Sequence, residues 1–430
     1  MTVKELIARS KAAQAAFAFA TQEQADAAAR AICKVVYDNA EKLGPMAAEE
    51  SRMGSEQDKI AKCRNKSALI WESLKDKKSC DIINRIEERR MIEVAKPVGV
   101  VASIIPSTNP VVTPMSNGAF ALKCRNSVIF APHPRAVKCT KLLVEMFRAE
   151  LKKLGLPEDL VLGLEEVSND LTSELMSAAD MVVATGGMGM VKAAYSSGKP
   201  AIGVGQGNVQ CIIDEDADIA DAVGKIIIGR AFDNGLICLG EQTVFVPEDK
   251  EAEFVAEMKK QGGYLVEGEE NVDKLREGLF PGGGAFSRVV VGMFADQVSD
   301  EIGLGAPKGT RVLFAKAKAL GAGDVLCREK LCPVIAYMTY KTFKEGVAMM
   351  EANLEHEGKG HSIAVHSNTP ENVEYAAIRC CVSRVVVNQP YQRLHPHHHA
   401  GLRHLGQQQL RRQPELRTVH QHHPRWLSLR

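Results

Sequence analysis

Residues 180–213 read DMVVATGGMGMVKAAYSSGKPAIGVGQGNVQCII, and the order of apolar runs and glycine turns in them indicates the fold class. An apolar run at 180–184 leads into the glycine turn TGGMG at 185–189. A helix-like segment (190–198) and another apolar run (209–213) follow. A glycine turn between a strand and a helix is a place where backbone N–H groups can bind a cofactor phosphate. A tight turn without a ligand gives the same pattern, so both interpretations stay open.

Strand-like and helix-like segments alternate on both sides of this stretch. Because such alternation is typical of βαβ units, it predicts an α/β fold with a parallel sheet covered on both faces. The first ninety residues read as helices, with capping boxes at Thr2 and Thr21. The other predicted elements are strands at 98–106, 127–131, 159–164, 243–246, 288–293, 311–315, 333–340 and 384–388, and helices at 136–154, 217–230 and 249–262.

The domain boundary is predicted near residues 207–215. It divides the chain into a nucleotide cofactor-binding domain, residues 1–207, and a catalytic domain, residues 208–390. The segment GVGQGN at 203–208 lies at this boundary, and its alternate glycines would permit positive φ or a close backbone approach.

The composition is that of an ordinary globular protein. The 430 residues carry 54 Lys and Arg against 53 Asp and Glu, and a net charge of +1 does not favour nucleic acid or an anionic membrane as partner. No run of 18 apolar residues spans a bilayer, and the charged N-terminal segment does not resemble a secretory signal. Eleven scattered cysteines without a CxxC pair favour a reducing cytoplasm over disulfides or a zinc site.

Two residues stand out as candidates for chemistry. Cys238 follows an Asn-Gly turn between a helix and a strand, where it could be an activated nucleophile or a small buried residue. His361 follows a glycine-rich turn at the mouth of a strand, where it could be a general acid or base or a structural histidine.

Several ordered segments resemble the CoA-acylating branch of the aldehyde dehydrogenase family, over residues 1 to about 390. They are PSTNP at 106–110, APHPR at 131–135, ATGGMGMVKAAYSSGKP at 184–200, FDNGLIC at 232–238 and EKLCP at 329–333. The resemblance implies a Rossmann-like cofactor domain, an α/β catalytic domain, and a homodimer or higher homo-oligomer. It also implies NAD or NADP as cofactor, coenzyme A as co-substrate, and no metal.

The resemblance also assigns roles to residues. It makes Cys238 the nucleophile that forms a thioester, and Asn109 the oxyanion-hole asparagine. It places Glu329 at the nicotinamide ribose and His133 toward the adenine ribose. It places Thr185, Gly186 and Gly187 at the pyrophosphate.

One departure from the hydrolytic enzymes favours acyl transfer. They carry a glutamate that activates water, and the alignment places Val204 there. A valine cannot deprotonate water, so the thioester should persist until a thiol takes it.

The substrate prediction depends on two basic residues. Lys66 and Arg384 align with basic positions in succinate-type members, and a dicarboxylic semialdehyde needs a cation for its second carboxylate. Lys66 could equally lie on a solvated helix face. Leu239 stands where the family usually has a small residue, and it could narrow the pocket.

The last forty residues depart from the family. Most of the twelve histidines lie in 395–430, so the tract HPHHH at 395–399 could bind metal or belong to a solvated tail. Translation of 391–425 one base along, with one choice of codons, yields a string containing CGTWGNN, which matches the family's ending. The sequence therefore predicts that residues 391–430 are a frameshifted tail.

The sequence thus predicts a cytoplasmic NAD(P)-dependent CoA-acylating aldehyde dehydrogenase that acts on succinyl-CoA and succinate semialdehyde. Acetyl-CoA and acetaldehyde are the runner-up pair. A non-catalytic cofactor-binding remnant is the rival interpretation because of the altered tail.

Overall fold

The structure, a computed structural model, describes residues 1–390, and the predicted frameshifted tail with its histidine tract lies outside the described residues. The chain forms two compact units. The first contains residues 1–52 and 56–205, and the second contains 53–55 and the described residues from 206 onward. The assignment of cofactor binding to the first unit and catalysis to the second stays a prediction.

Four helices begin the first unit, as the sequence predicts. The capping boxes are present: the hydroxyl oxygens of Thr2 and Thr21 accept hydrogen bonds from the backbone N–H groups of Glu5 and Gln24. The helices of this unit are α1 Val3–Phe17, α2 Gln22–Asp38, α3 Ala40–Ser51, α4 Glu56–Leu74, α5 Val112–Lys123, α6 Val137–Lys153, α7 Asn169–Ala178 and α8 Met188–Tyr195.

The strands of the first unit form a hairpin and a parallel sheet. They are β1 Asp81–Ile86, β2 Met91–Ala95, β3 Val100–Ile104, β4 Ser127–Ala131, β5 Val161–Gly163, β6 Met181–Thr185 and β7 Ala201–Val204. The sheet has the order β5-β4-β3-β6-β7, and all its neighbouring strands are parallel. Along β3, Val101 packs into one apolar cluster while Val100, Ala102 and Ile104 pack into another. Both faces of the sheet are therefore buried, as the α/β prediction requires.

The prediction of helix throughout the first ninety residues is wrong after Leu74. There β1 and β2 form an antiparallel hairpin, joined by a turn in which Arg90 has a φ of 50°. The hairpin is partly exposed and charged along its length, so it lacks the continuous apolar run by which the sequence shows buried strands.

The second unit has a seven-stranded parallel sheet in the order β10-β11-β12-β9-β8-β13-β14. Its strands are β8 Val209–Ile213, β9 Glu241–Pro247, β10 Gly263–Leu265, β11 Val312–Lys316, β12 Val334–Tyr340, β13 Ser362–His366 and β14 Arg384–Val387. Its helices are α9 Ile219–Ala231, α10 Glu251–Lys260, α11 Glu269–Leu279, α12 Ala295–Ile302, α13 Phe343–His356 and α14 Pro370–Arg379. The short strand β10 was not predicted.

The predicted strand at 288–293 is wrong. Gly292 has a φ of 69°, which a strand does not accommodate, and its N–H donates to the carbonyl of Leu331 while its carbonyl accepts from Gly54 N–H. Buried Val290 belongs to the apolar cluster around α11 and α12, so the apolar residues of this segment serve packing and not a sheet ladder. Within residues 1–390, no helix is long and apolar enough to cross a membrane.

Candidate active site

Three predicted binding segments lie at one edge of the first-unit sheet. The segments 106–110, 131–135 and 185–187 follow β3, β4 and β6 at their carboxyl ends. The chain winds outward from β3 through β4 to β5 and then returns to place β6 on the other side of β3. This is a topological switch point, and ligands of open α/β sheets bind at such points beyond the carboxyl ends of the strands.

The turn after β6 leads into α8, whose first N–H groups have no side-chain cap among the described residues. Gly186 N–H donates to the carbonyl of Val204 at 3.1 Å, and Gly187 occupies the N-cap of α8. No side chain of the described residues caps this helix, and a Cβ added at Gly187 or Gly189 would meet none of their atoms within 4 Å. The uncapped N–H groups and the open approach fit a pyrophosphate.

His133 and Asn109 occupy the neighbouring loops. His133 is exposed, and its Nδ1 accepts a hydrogen bond from Arg135 N–H at 3.1 Å. Asn109 is half-buried, and its Oδ1 accepts a hydrogen bond from the Nζ of Lys62 at 2.8 Å. Lys66 lies one turn after Lys62 on α4 and is half-buried, so it is not on a fully solvated helix face.

In the second unit, the predicted residues Cys238, Glu329 and His361 lie at the amino ends of the sheet strands, whereas the segments of the first unit lie at carboxyl ends. Five segments that are distant in sequence each precede a strand at its amino end, and the five strands are consecutive neighbours in the sheet. The segments contain Glu329 before β12, Cys238 before β9, Gly207 before β8, His361 before β13 and Ser383 before β14.

Cys238 is half-buried and follows a turn in a sparsely populated backbone conformation. Asp233, Asn234 and Gly235 have φ angles of 49°, 53° and 72°, so three consecutive residues are left-handed. Such strain persists only where the surroundings hold it, and it clusters at functional sites. Here Asn234 Nδ2 donates to the carbonyl of Gly292 at 2.8 Å, and the Oδ1 of Asp233 accepts from Ser55 N–H at 3.2 Å.

Gly207 lies directly against the cysteine. A Cβ added at Gly207 would lie 2.2 Å from the carbonyl oxygen of Cys238 and 3.0 Å from its Cβ. Gly203, Gly205 and Gly207 do not use the positive φ that glycine permits. The close approach is the reason for glycine at position 207, and the group it approaches is the backbone of Cys238.

Glu329 holds Gly207 from the other side. The Glu329 side chain is buried, and its Oε1 accepts a hydrogen bond from Gly207 N–H at 2.8 Å. Burial raises the pKa of Glu329 to about 7, against the lowering effect of this hydrogen bond.

Sequence reasoning missed the buried polar residues that hold the Glu329 loop. The guanidinium of fully buried Arg230 donates to the carbonyls of Lys330 and Cys332. Gln242 accepts from Lys330 N–H at 2.9 Å and donates to Lys330 O at 3.3 Å. A charged residue in the apolar run IIIGRAF was the available signal for Arg230, since arginine is rarely buried without partners.

His361 is buried, and its Nδ1 has no hydrogen-bond partner among residues 1–390. Burial, and then the positive charge of Arg384, lowers the pKa of His361 to about 4. The imidazole is therefore neutral near pH 7, with one ring nitrogen that carries a proton and one that can accept a hydrogen bond. Arg384 is half-buried at the start of β14, where it pairs in register with Ser362.

Leu239 and Val204 occupy different environments. Leu239 is buried in the apolar cluster that packs α9 and α10 on the second-unit sheet, and its effect on a substrate pocket stays a prediction. Val204 ends β7 and is half-buried. Among residues 1–390, no group of three or more His, Cys, Asp or Glu side chains is arranged to hold a metal ion.

Comparisons with known proteins identify the family of this chain. A model of the aldehyde dehydrogenase family matches residues 1–274. The chain is 47% identical over 390 residues to a succinate-semialdehyde dehydrogenase (acetylating) of Clostridium kluyveri, with 91% of this chain and 86% of that protein covered. It is 40% identical over 389 residues to a sulfoacetaldehyde dehydrogenase of Acholeplasma sp, with 89% and 80% covered.

Solved structures give the same result. An acetylating aldehyde dehydrogenase from Geobacillus thermoglucosidasius is similar with a TM-score of 0.87 and 36% identity, covering 91% of this chain and 86% of that one. A Rhodopseudomonas palustris propionaldehyde dehydrogenase with bound CoA and an acylated cysteine has a TM-score of 0.80 at 27% identity, and 90% and 88% are covered. An engineered glycolyl-CoA reductase with bound NADP+ has a TM-score of 0.79 at 27% identity, with the same coverage. The resemblance seen in the motifs is confirmed: the chain belongs to the aldehyde dehydrogenase family, in its acylating branch.

Proposed function

We propose that this enzyme interconverts succinyl-CoA and NAD(P)H with succinate semialdehyde, CoA and NAD(P)+ through a thioester at Cys238. The observation that carries the proposal is that neighbouring backbone segments hold Cys238 in place. The left-handed turn 233–235 precedes it, and Gly207, held by buried Glu329, lies against its backbone. A nucleophile held by rigid backbone contacts needs little further ordering before it reacts.

In the direction of aldehyde formation, the Cys238 thiolate attacks the thioester carbonyl of the acyl-CoA. The bond to CoA sulfur breaks, CoA leaves as a thiol after taking up a proton, and the acyl group stays on Cys238. Asn109 is assigned to hold the oxygen that becomes negative in this step, together with the backbone N–H at Cys238. One such donor typically contributes about 3 kcal/mol to the transition state.

The cofactor would be held by the loop after β6 and by Glu329. Thr185, Gly186 and Gly187 would bind the pyrophosphate, Glu329 the nicotinamide ribose and His133 the adenine ribose. When bound, the nicotinamide would supply a hydride to the acyl carbon. The bond from that carbon to Cys238 sulfur then breaks, which releases the aldehyde and restores the thiolate. Both NAD and NADP are compatible with these residues.

Val204 supports transfer to CoA over hydrolysis. Its carbonyl accepts from Gly186 N–H, and its side chain offers no base for a water molecule. In the oxidative direction a thioester at Cys238 would therefore be resolved by the CoA thiol. His361 is proposed as the acid/base residue through which the thiol proton is exchanged.

The anionic end of the substrate would bind Lys66 and Arg384. A cationic partner is needed for a desolvated carboxylate, and Arg384 supplies one beside buried His361. The relatives named for succinate semialdehyde and sulfoacetaldehyde act on aldehydes with an anionic group, which favours this substrate class. A short neutral acyl-CoA such as acetyl-CoA is the alternative.

Two further proposals accompany this function, and one rival proposal opposes it. The cytoplasmic location follows from the scattered cysteines, and a homodimer or higher homo-oligomer follows from the resemblance. A remnant that binds cofactor without turnover is the rival to catalysis, and its basis is the predicted frameshift from residue 391. Sedimentation would test the oligomer, and NADH binding without turnover in a tail-restored chain would favour the remnant.

The decisive experiment compares NADH oxidation with succinyl-CoA, sulfoacetyl-CoA and acetyl-CoA on this chain and on a tail-restored chain. Cys238→Ala should abolish turnover with each substrate, while Cys124→Ala, at another half-buried cysteine, should retain it. Arg384→Met should raise the KM for succinyl-CoA and leave that for acetyl-CoA unchanged. Turnover by Cys238→Ala at the wild-type rate would reject the mechanism, and preference for acetyl-CoA would reject the anionic substrate.

A further inference from the structure

We propose that Lys62 is a positioning residue that orients the amide of Asn109, so that its Nδ2, and not its Oδ1, faces the reacting oxygen. The inference rests on the proposed function, in which Asn109 donates to that oxygen. It adds a residue that none of the predicted roles includes.

The contact joins two segments that are distant in sequence. Lys62 projects from α4 with only 4% of its surface exposed, and its Nζ lies 2.8 Å from the Oδ1 of Asn109. Asn109 belongs to the loop PSTNP between β3 and α5, and its carbonyl accepts a hydrogen bond from Thr113 N–H at 3.3 Å, which ties its backbone to the start of α5. Lys62 therefore fixes the remaining freedom, which is the rotation of the side-chain amide.

The chemistry of the two groups allows only one orientation. An amide side chain has an acceptor end and a donor end, whereas an ammonium group can only donate. Rotation of the Asn109 amide by half a turn would place its NH2 group against the Lys62 ammonium and leave two donors facing each other. The observed orientation leaves the Nδ2–H groups directed away from Lys62, which is what an oxyanion donor needs.

The charge of Lys62 also strengthens the donor. A hydrogen bond from an ionised group is stronger than one between neutral groups, and bonds in a chain polarise one another. An ammonium at Oδ1 draws electron density from the amide, which makes its N–H groups better donors to a developing negative oxygen. Because this charge develops only in the transition state, the loss of Lys62 should lower kcat more than it raises KM.

The matched control lies on the same helix. Lys59 is one turn before Lys62 on α4 and has the same 4% exposure, but the ammonium that donates to Asn109 belongs to Lys62. Lys59→Met and Lys62→Met therefore remove equivalent buried charges and similar packing. A purely structural role would give the two variants similar kinetics.

The test is a double-mutant cycle with Lys62→Met, Asn109→Ala and the double variant, measured as kcat and KM for succinyl-CoA. Asn109→Ala should lower kcat by about 10²- to 10³-fold, and Lys62→Met by about 10- to 100-fold with little change in KM. In the Asn109→Ala background, Lys62→Met should cause no further loss, because the amide that it orients is absent. Lys62→Arg, which keeps a cationic donor, should recover part of the rate.

The outcomes separate this inference from the function on which it rests. Wild-type kcat in Asn109→Ala would show that the oxyanion assignment is wrong. Three results would overturn the role of Lys62. The first is a low kcat in Asn109→Ala with a wild-type kcat in Lys62→Met, and the second is additive losses of kcat in the double variant. The third is an effect of Lys62→Met on KM alone. Thermal unfolding and the rate of iodoacetamide alkylation of Cys238 check that each variant is folded and keeps its nucleophile.

Discussion

The contact between Gly207 and Cys238 makes a sharp prediction for Gly207→Ala. Gly207 has no positive φ, so alanine fits the local backbone conformation and the effect of the substitution is steric alone. The new methyl carbon would lie 2.2 Å from the carbonyl oxygen of Cys238 and 3.0 Å from its carbonyl carbon. Neither of these atoms belongs to a flexible side chain that could turn away.

The size of the effect follows from this distance. Nonbonded heavy atoms settle about 3.5 Å apart, so the two backbone segments must separate by about 1 Å. A displacement of about 1 Å at reacting groups costs about 100-fold in rate. Overpacking of this kind also costs about 1–3 kcal/mol of stability, or about 2–4 °C in Tm for each kcal/mol in a unit of this size. The variant should therefore fold but be about 100-fold slower.

The assay is NADH oxidation with succinyl-CoA, paired with thermal unfolding and iodoacetamide alkylation of Cys238. Gly224→Ala on α9 is the control, because its methyl group would meet the end of the Gln261 side chain, with Oε1 at 3.0 Å and Cδ at 3.9 Å, and no backbone atom outside the helix. It should retain wild-type kcat, and its free energy of unfolding should rise by up to about 1 kcal/mol because alanine favours a helix more than glycine does. Wild-type turnover in Gly207→Ala would refute the argument that this contact positions the nucleophile.

Three further predictions concern stability. The folded-state pKa of His361 is about 4 against an ordinary 6.5, so the unfolded chain takes up this proton first as the pH falls. His361 therefore does not lower the free energy of unfolding above pH 6.5. As the pH falls toward 4, this residue lowers the free energy of unfolding progressively, by up to about 3 kcal/mol. His361→Gln should flatten the pH dependence of Tm in this window, and an unchanged slope would contradict the pKa. The Arg276 guanidinium binds fully buried Asp324 through two hydrogen bonds, of 2.7 and 3.0 Å. Asp324→Ala should therefore lower the free energy of unfolding in urea by about 3–5 kcal/mol. A loss below about 1 kcal/mol would contradict the importance of this ion pair. Gly235→Ala meets both a φ of 72° and a carbonyl 2.6 Å away, so it should lose about 2–5 kcal/mol, and wild-type stability would show that the turn can relax.

Local sequence patterns were sufficient for most of the fold. The capping boxes at Thr2 and Thr21 and the buried strands β3, β4, β6 and β8 are short-range features, in which a few adjacent residues determine the conformation. Buried parallel strands read as continuous apolar runs, which is why they could be predicted. The glycine turn after β6 lies between a strand and a helix, as predicted.

The same reasoning failed where burial is partial or where packing replaces a sheet ladder. The hairpin β1–β2 mixes polar and apolar residues on a partly exposed ribbon, so its sequence lacks the signal of a buried strand. The apolar run at 288–293 predicts a strand, but positive φ at Gly292 makes it a turn. The hairpin pairs residues that are close in sequence, so its missing signal is the continuous apolar run; the turn at Gly292 is decided by contacts with Gly54 and Leu331, which are distant in sequence.

The sequence by itself determined the fold class, the family and the identity of the candidate residues, because motifs and apolar periodicity are local properties of the chain. Only the tertiary structure decided which of them meet. Strand order brings Glu329, Gly207, Cys238 and His361 to the amino ends of adjacent strands. It also places Lys62 against Asn109 across 47 positions of sequence. No local pattern encodes such contacts, because the order of the strands in the sheet determines which loops become neighbours.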